Sequence, residues 1–120
     1  MDCLFCKIIN GDIPSKKIYE DDTVYAFLDI SPQASGHTLV VPKKHISTIE
    51  DATHEDMNQL FEVGKIITNK IMNHFDVSGS SYIINYGSRQ EIKHLHLHLV
   101  PSPDLKVPID EVYNKLKIED

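Results

Sequence analysis

Hydrophobic and polar positions alternate most strictly in one stretch of the chain, His94-Leu95-His96-Leu97-His98-Leu99-Val100-Pro101. A period of two is the signature of a strand with one buried face. The leucines point into a core. The three histidines share the other face, spaced by roughly 6.6 Å at about 3.3 Å of rise per residue. Shorter runs predict the rest of a sheet. Ile18-Tyr19-Glu20 and Thr23-Val24-Tyr25-Ala26-Phe27-Leu28 read as two strands joined at Asp21-Asp22. A loop rich in Pro, Ser and Gly follows over 29–36, and His37-Thr38-Leu39-Val40-Val41 is then a central strand that Pro42 stops. Ser81-Tyr82-Ile83-Ile84-Asn85 is the next strand, paired with the histidine strand across the polar loop 87–91.

The period changes in the middle of the chain. Met57, Leu60, Phe61, Gly64, Ile67, Ile71 and Phe75 recur at helical spacing behind an N-cap at Thr53 and acidic residues at Glu55 and Asp56. One long amphipathic helix is expected, ending near 74–76, with Met57 and the aromatic residues in the core. Short helices are expected from Phe5 to Asn10, closed by Gly11, and from Pro108 to Lys117, with Ile109, Val112 and Leu116 on one side. The sum is an α+β fold, an antiparallel sheet of about five strands with one long helix on a face.

Composition narrows the class. The 120 residues, expected to form one domain over 1–120, are 41% hydrophobic and 25% charged, as in a soluble globular protein. No apolar run approaches the ~20 residues of a membrane span, and Met1-Asp2-Cys3-Leu4-Phe5-Cys6-Lys7 lacks the layout of a signal peptide. A cytoplasmic protein is expected. A net charge of −6, with no basic cluster larger than a lysine pair such as Lys43-Lys44, argues against nucleic acid or a membrane surface as partner. A single nucleotide remains compatible, because backbone N–H groups and a few histidines can hold one phosphate.

Three imidazoles on one face can attack, exchange protons or bind metal near neutral pH. Both cysteines fall in one motif, Cys3-Leu4-Phe5-Cys6. A C-x-x-C pair in a small intracellular protein is a zinc half-site, a redox pair or two free thiols. A thioredoxin-like role is disfavoured because no strand fits before residue 3. Zinc requires two further ligands from elsewhere in the chain.

Together these stretches resemble a known family. His94-Leu95-His96-Leu97-His98-Leu99-Val100 fits the histidine triad (HIT) pattern. Phe27-Leu28-Asp29-Ile30-Ser31-Pro32-Gln33-Ala34 and Gly36-His37-Thr38-Leu39-Val40-Val41-Pro42-Lys43-Lys44-His45 resemble its Hint-related, nucleotide-binding branch. The resemblance runs in order from residue 3 to about 101. It implies a HIT-like fold and a hydrolase that cleaves at the α-phosphorus of a nucleoside phosphoramidate or related nucleotide, releasing AMP or GMP. By resemblance His96 is the nucleophile that forms a nucleotidyl-histidine, His98 contacts the phosphate, and His37 bonds and orients His96. Asp29 matches the acid that binds the ribose hydroxyls. Leu4, Phe5, Ile8, Phe27 and Ile30 match the apolar positions around the base, while Asn85, Gln90 and Glu91 match positions near the phosphate and leaving group. The resemblance also implies a structural zinc held by Cys3, Cys6, His45 and His94, and a two-fold homodimer packed through the long helix and a strand.

The chain departs from the family pattern in two respects, one being Glu91, which occupies a place where a serine often helps protonate the leaving amine. The loop between Asn85 and His94 is about two residues shorter than usual, and Arg89 stands where a glycine is usual before the glutamine. Rival readings within the same chemistry are a dinucleoside polyphosphate hydrolase and a metallohydrolase whose metal sits on His94, His96 and His98. A third is a purine-nucleotide-binding module with little turnover.

Overall fold

A computed structural model describes residues 3–103 and 106–118, so the ends of the expected 1–120 domain lie outside the described residues. The chain runs α1 (Leu4–Ile9), β1 (Lys17–Glu20), β2 (Val24–Leu28), β3 (Thr38–Pro42), α2 (His54–His74), β4 (Gly79–Ile83), β5 (Leu97–Ser102) and α3 (Ile109–Leu116), with short 3₁₀ turns at Ile49–Asp51 and Gly87–Arg89. The strands form one antiparallel sheet in the order β1-β2-β3-β5-β4.

Every residue of β2 and β3 is buried, because the sheet is covered on both faces. Ala26, Leu28, Val40, Leu97 and Leu99 pack on one face against Leu60, Val63, Ile67 and Ile71 of α2. Tyr25, Phe27, Leu39 and Val41 pack on the other against Cys3, Phe5 and Ile8. Truncating a fully buried leucine such as Leu97 to alanine costs about 2–5 kcal/mol. Gly64 allows α2 to lie close to the sheet: a Cβ there would stand 3.1 Å from the Tyr82 ring and 3.2 Å from Leu97.

Helix α2 starts at Thr53 with a full capping box. The Asp56 N–H donates to Thr53 Oγ1 at 3.0 Å and the Thr53 N–H to Asp56 Oδ2 at 2.9 Å. Gly11, at φ +84°, follows α1 in the left-handed conformation that ends helices. No helix among the described residues is long and apolar enough to cross a membrane.

Three expectations need correction. The histidine strand begins at Leu97, not at His94. Val40 pairs with Leu97, so the same register would set Leu95 opposite Pro42. Instead the Leu95 N–H donates to the Ile46 carbonyl at 2.7 Å, and the Pro42 carbonyl lies 2.8 Å from the His94 ring. Phe61 is not core: it is 39% exposed and stacks on Tyr82, with ring centroids 6.1 Å apart. Helical spacing marks a face but does not set its width, and Phe61 sits on its margin. Strand β4 also lies about two residues earlier than 81–85.

Candidate active site and metal centre

The alternation in the histidine stretch divides its side chains between three environments. Leu95, Leu97 and Leu99 enter the α2 core. His96 and His98 line a cavity of about 500 Å³, on the order of a small-molecule site. His94 does not reach that cavity: it is fully buried, with its ring toward the two cysteines. The triad is therefore not one row of equivalent groups.

Among the described residues His96 is held by one side-chain hydrogen bond. Its Nδ1 lies 2.8 Å from the His94 carbonyl oxygen. A carbonyl only accepts, so Nδ1 carries the proton and Nε2 keeps its lone pair. Phe5 meets the imidazole edge to face, at 5.1 Å between centroids. Burial, the largest influence, pushes His96 below the ordinary histidine value, against the opposing charges of Asp29 and Glu91. The ring is neutral at neutral pH, as a nucleophile requires.

A second relay fixes His98. The main-chain N–H of Gln33 donates to His37 Nδ1 at 3.1 Å, which makes that nitrogen an acceptor. The neutral His37 ring then carries its proton on Nε2, 2.9 Å from His98 Nδ1. His98 Nδ1 accepts, so the remaining proton sits on His98 Nε2. That atom is buried and has no partner among the described residues. Burial first, and the neighbouring His96 and His37 rings next, pull His98 down to about 4. Its Nε2–H is a neutral donor awaiting an acceptor in the cavity.

His37 thus bonds His98, not His96. The register explains the change. Leu39 pairs with His98, so His37, two residues earlier on the same face, lies diagonal to His98 and one further step from His96. Asp29 Oδ2 lies 3.8 Å from His37 Nε2, and its other oxygen accepts the Ser31 N–H at 2.8 Å.

The remaining expected residues divide. Leu4, Phe5, Ile8, Phe27, Asp29, Ile30, Asn85 and Glu91 all line the cavity. The apolar ones form a wall from α1, β2 and the loop after β2. Gln90 does not line it. Its amide instead donates to the Ser47 and Ile92 carbonyls at 2.7 and 3.0 Å, tying the β4–β5 connection to the loop after β3. A short loop turns this side chain inward, which sequence position alone does not reveal. Ile13, Gln33, Arg89 and Ile92 line the cavity although they were not among the expected site residues.

Cys3, Cys6, His45 and His94 come together on the far side of Phe5, with their ligand atoms within 4.8 Å of one another. Cys3 Sγ is 3.4 Å from His94 Nδ1, Cys6 Sγ is 3.4 Å from His45 Nδ1, and Cys6 Sγ is 3.6 Å from His94 Nδ1. A tetrahedral zinc with bonds of about 2.3 Å to sulfur and about 2.0 Å to nitrogen has sulfur–nitrogen edges of about 3.6 Å. The donor set fits such an ion. The outer shell fits as well: with Nδ1 directed inward, His94 Nε2–H donates to the Pro42 carbonyl, and His45 Nε2 lies 3.2 Å from Ser47 Oγ. Burial, followed by the adjacent Cys3, pushes the Cys6 thiol up to about 11. A cation bound between the two sulfurs would offset that cost and favour their deprotonated, ligating form. The triad does not converge on a metal. His94 belongs to the cysteine cluster, while His98 groups with Asp29 and His37, and His96 is in neither group.

An α+β protein with paired imidazoles on a nucleotide-sized cavity and a C₂H₂ cluster behind it is thereby defined. The HIT domain model matches residues 10–104, and the chain belongs to the HIT domain family. It is 46% identical over 101 residues to the protein "hit" of Bacillus subtilis, covering 82% of this chain and 70% of that one. It is 37% identical over 106 residues to an adenosine 5'-monophosphoramidase of Saccharomyces cerevisiae, covering 87% of this chain and 65% of that protein. A zinc-bound histidine triad family protein from Mycobacterium smegmatis superposes with a TM-score of 0.89 at 34% identity, covering 98% and 91% of the two chains.

Proposed function

We propose that the protein is a hydrolase acting at the α-phosphorus of nucleoside phosphoramidates through a nucleotidyl-histidine on His96. The observation that carries this reading is the locked tautomer of His96, whose unprotonated Nε2 faces the cavity beside the unpartnered N–H of His98. In the first step Nε2 attacks phosphorus and the P–N bond breaks. The amine leaves with a proton taken from solvent at the open end of the cavity. His98 Nε2–H binds a non-bridging oxygen as charge builds there, and needs no reorganisation to do so. In the second step water attacks phosphorus, the bond to His96 breaks, and the nucleoside monophosphate departs. Asp29 accepts from the ribose hydroxyls, and Phe5, Ile8 and Phe27 enclose the base. The yeast relative's name supports the substrate class.

We further propose a structural zinc on Cys3, Cys6, His45 and His94. A closed set of four ligands leaves no position for water, so the ion supplies folding energy and fixes His94. The zinc-bound mycobacterial neighbour supports this. A homodimer through the α2–β4 face is the third element of the reading. Strand β4 is a sheet edge, and Phe61, Tyr82 and Ile83 are exposed beside it.

The deciding experiment is hydrolysis of adenosine 5'-phosphoramidate by the wild type and by His96→Ala, with a chelator-treated wild type alongside. Turnover by the wild type, abolished in the variant but only reduced after chelation, supports the reading. A wild type that binds AMP but turns nothing over would make it a binding module.

A further inference from the structure

Arg89 is the chain's only arginine. It stands at the end of the Gly87–Arg89 turn and lines the cavity with Asn85 and Glu91 from the same connection. It is exposed, and among the described residues no ion pair or hydrogen bond engages its guanidinium, Glu91 included. The other charged groups lining the cavity, Asp29 and Glu91, are negative. The site therefore offers an anionic substrate a single full positive charge, and places it at the rim.

The rim position identifies what Arg89 meets. The reacting phosphorus must sit against His96 Nε2, in the buried part of the cavity, where the His98 N–H already serves a phosphoryl oxygen. In-line displacement directs the leaving group away from His96, toward solvent. The base occupies the apolar wall of Phe5, Ile8 and Phe27. What remains for an exposed cation is the outer end of the leaving group. A guanidinium presents its donors as a planar fork that matches carboxylate, sulfate or phosphate with two bonds at once.

The geometry points to Arg89 as a specificity-determining residue that binds an oxyanion on the leaving group, so that this enzyme prefers nucleotide conjugates whose leaving group carries a negative charge. The inference rests on the hydrolase reading above and deepens it.

A matched pair of substrates tests it: the phosphoramidate joining AMP to the amino group of alanine, with its carboxylate free, and the same compound made from alaninamide. The two differ only in the charge of the leaving group. The wild type is expected to favour the free carboxylate in kcat/KM. Arg89→Gln is expected to lower kcat/KM for that substrate by about 10- to 100-fold, the range for a bond to a charged group. It should change the alaninamide compound far less, collapsing the preference. Arg89→Lys should restore part of the preference, since it keeps the charge but loses the fork. Equal loss on both substrates would overturn the inference by placing Arg89 on the α-phosphate, on the base or in the fold. No loss on either would also overturn it. A wild type that turns over neither compound would remove the hydrolase reading itself, and this inference with it. Adenylyl sulfate as a third substrate separates a carboxylate-specific contact from a general oxyanion site.

Discussion

His94 and His96 are joined by one hydrogen bond of 2.8 Å, from Nδ1 of His96 to the carbonyl oxygen of His94. The same residue whose ring belongs to the cysteine cluster thus fixes, through its backbone, which nitrogen of the next histidine is free. The proposed metal site and the proposed nucleophile are linked through His94.

Removing the metal is therefore expected to act on both stability and rate. Chelated protein, or Cys3→Ala, should melt at a lower temperature, because a structural zinc contributes folding energy directly. Its kcat for adenosine 5'-phosphoramidate should fall by about 10- to 100-fold, the range for lost outer-shell support. Calorimetry and steady-state kinetics on the same samples measure both. Unchanged melting and unchanged kcat after verified loss of metal would remove the coupling between the two sites.

The relay from Gln33 through His37 to His98 predicts a graded series. His98→Ala removes the donor and should lower kcat by about 10²–10³-fold, the range for losing one preorganised donor. His37→Ala leaves the donor but frees its tautomer, so a smaller loss is expected. His37→Gln, whose amide can still donate to His98 Nδ1, should recover part of it. A His37→Ala variant slower than His98→Ala would mean that His37 acts on the substrate by another route.

Burial lowers the values of His37, His96 and His98, the last to about 4. The folded site therefore stays neutral where an ordinary histidine already titrates. The rate should hold level as pH falls from 7.5 through 6.5, with its acid limb lying below that value. Stability responds to the same groups. Below about pH 6.5 the unfolded chain binds protons that the folded chain refuses, so these histidines weaken the fold progressively as pH falls. For His98 the loss is complete near its folded value of about 4. Urea midpoints from pH 7.5 to 4.5 on the wild type and His98→Gln measure it, and the variant should lose less. An acid limb centred at or above 6.5 would show that the cavity histidines are not held neutral by burial.

Phe61 and Tyr82 stack in parallel at the exposed edge of α2 and β4. If that edge joins two copies, Phe61→Glu should convert a dimer to a monomer in sedimentation, because a charge buried without a partner costs several kcal/mol. A wild type that sediments as a monomer would remove the dimer from the reading.

Local pattern carried much of this protein. Alternation alone assigned Leu95, Leu97 and Leu99 to a core and His94, His96 and His98 to the opposite face, of which only His96 and His98 line the cavity. A 3.6-residue period with Thr53 ahead of it placed the long helix within a residue or two. The departures at the site are non-local. Whether His37 meets His96 or His98 depends on the register of β3 against β5, which neither strand encodes by itself. Gln90 points inward because the carbonyls of Ser47 and Ile92 await it, and one of those lies more than 40 residues away. The cysteine cluster was accessible only through family likeness, since nothing in the spacing of Cys3 and Cys6 names His45 or His94 as partners.

The sheet divides the molecule into two unequal halves. Behind it lies a broad core built with α2 and α3. In front, the cavity wall depends on a six-residue helix anchored by little more than Phe5, Ile8 and the cysteine pair. Free energies of local opening follow such differences in packing. The amides of α1 should therefore exchange with solvent faster than those of α2, so that the cavity wall can loosen while the strand that carries His98 stays protected.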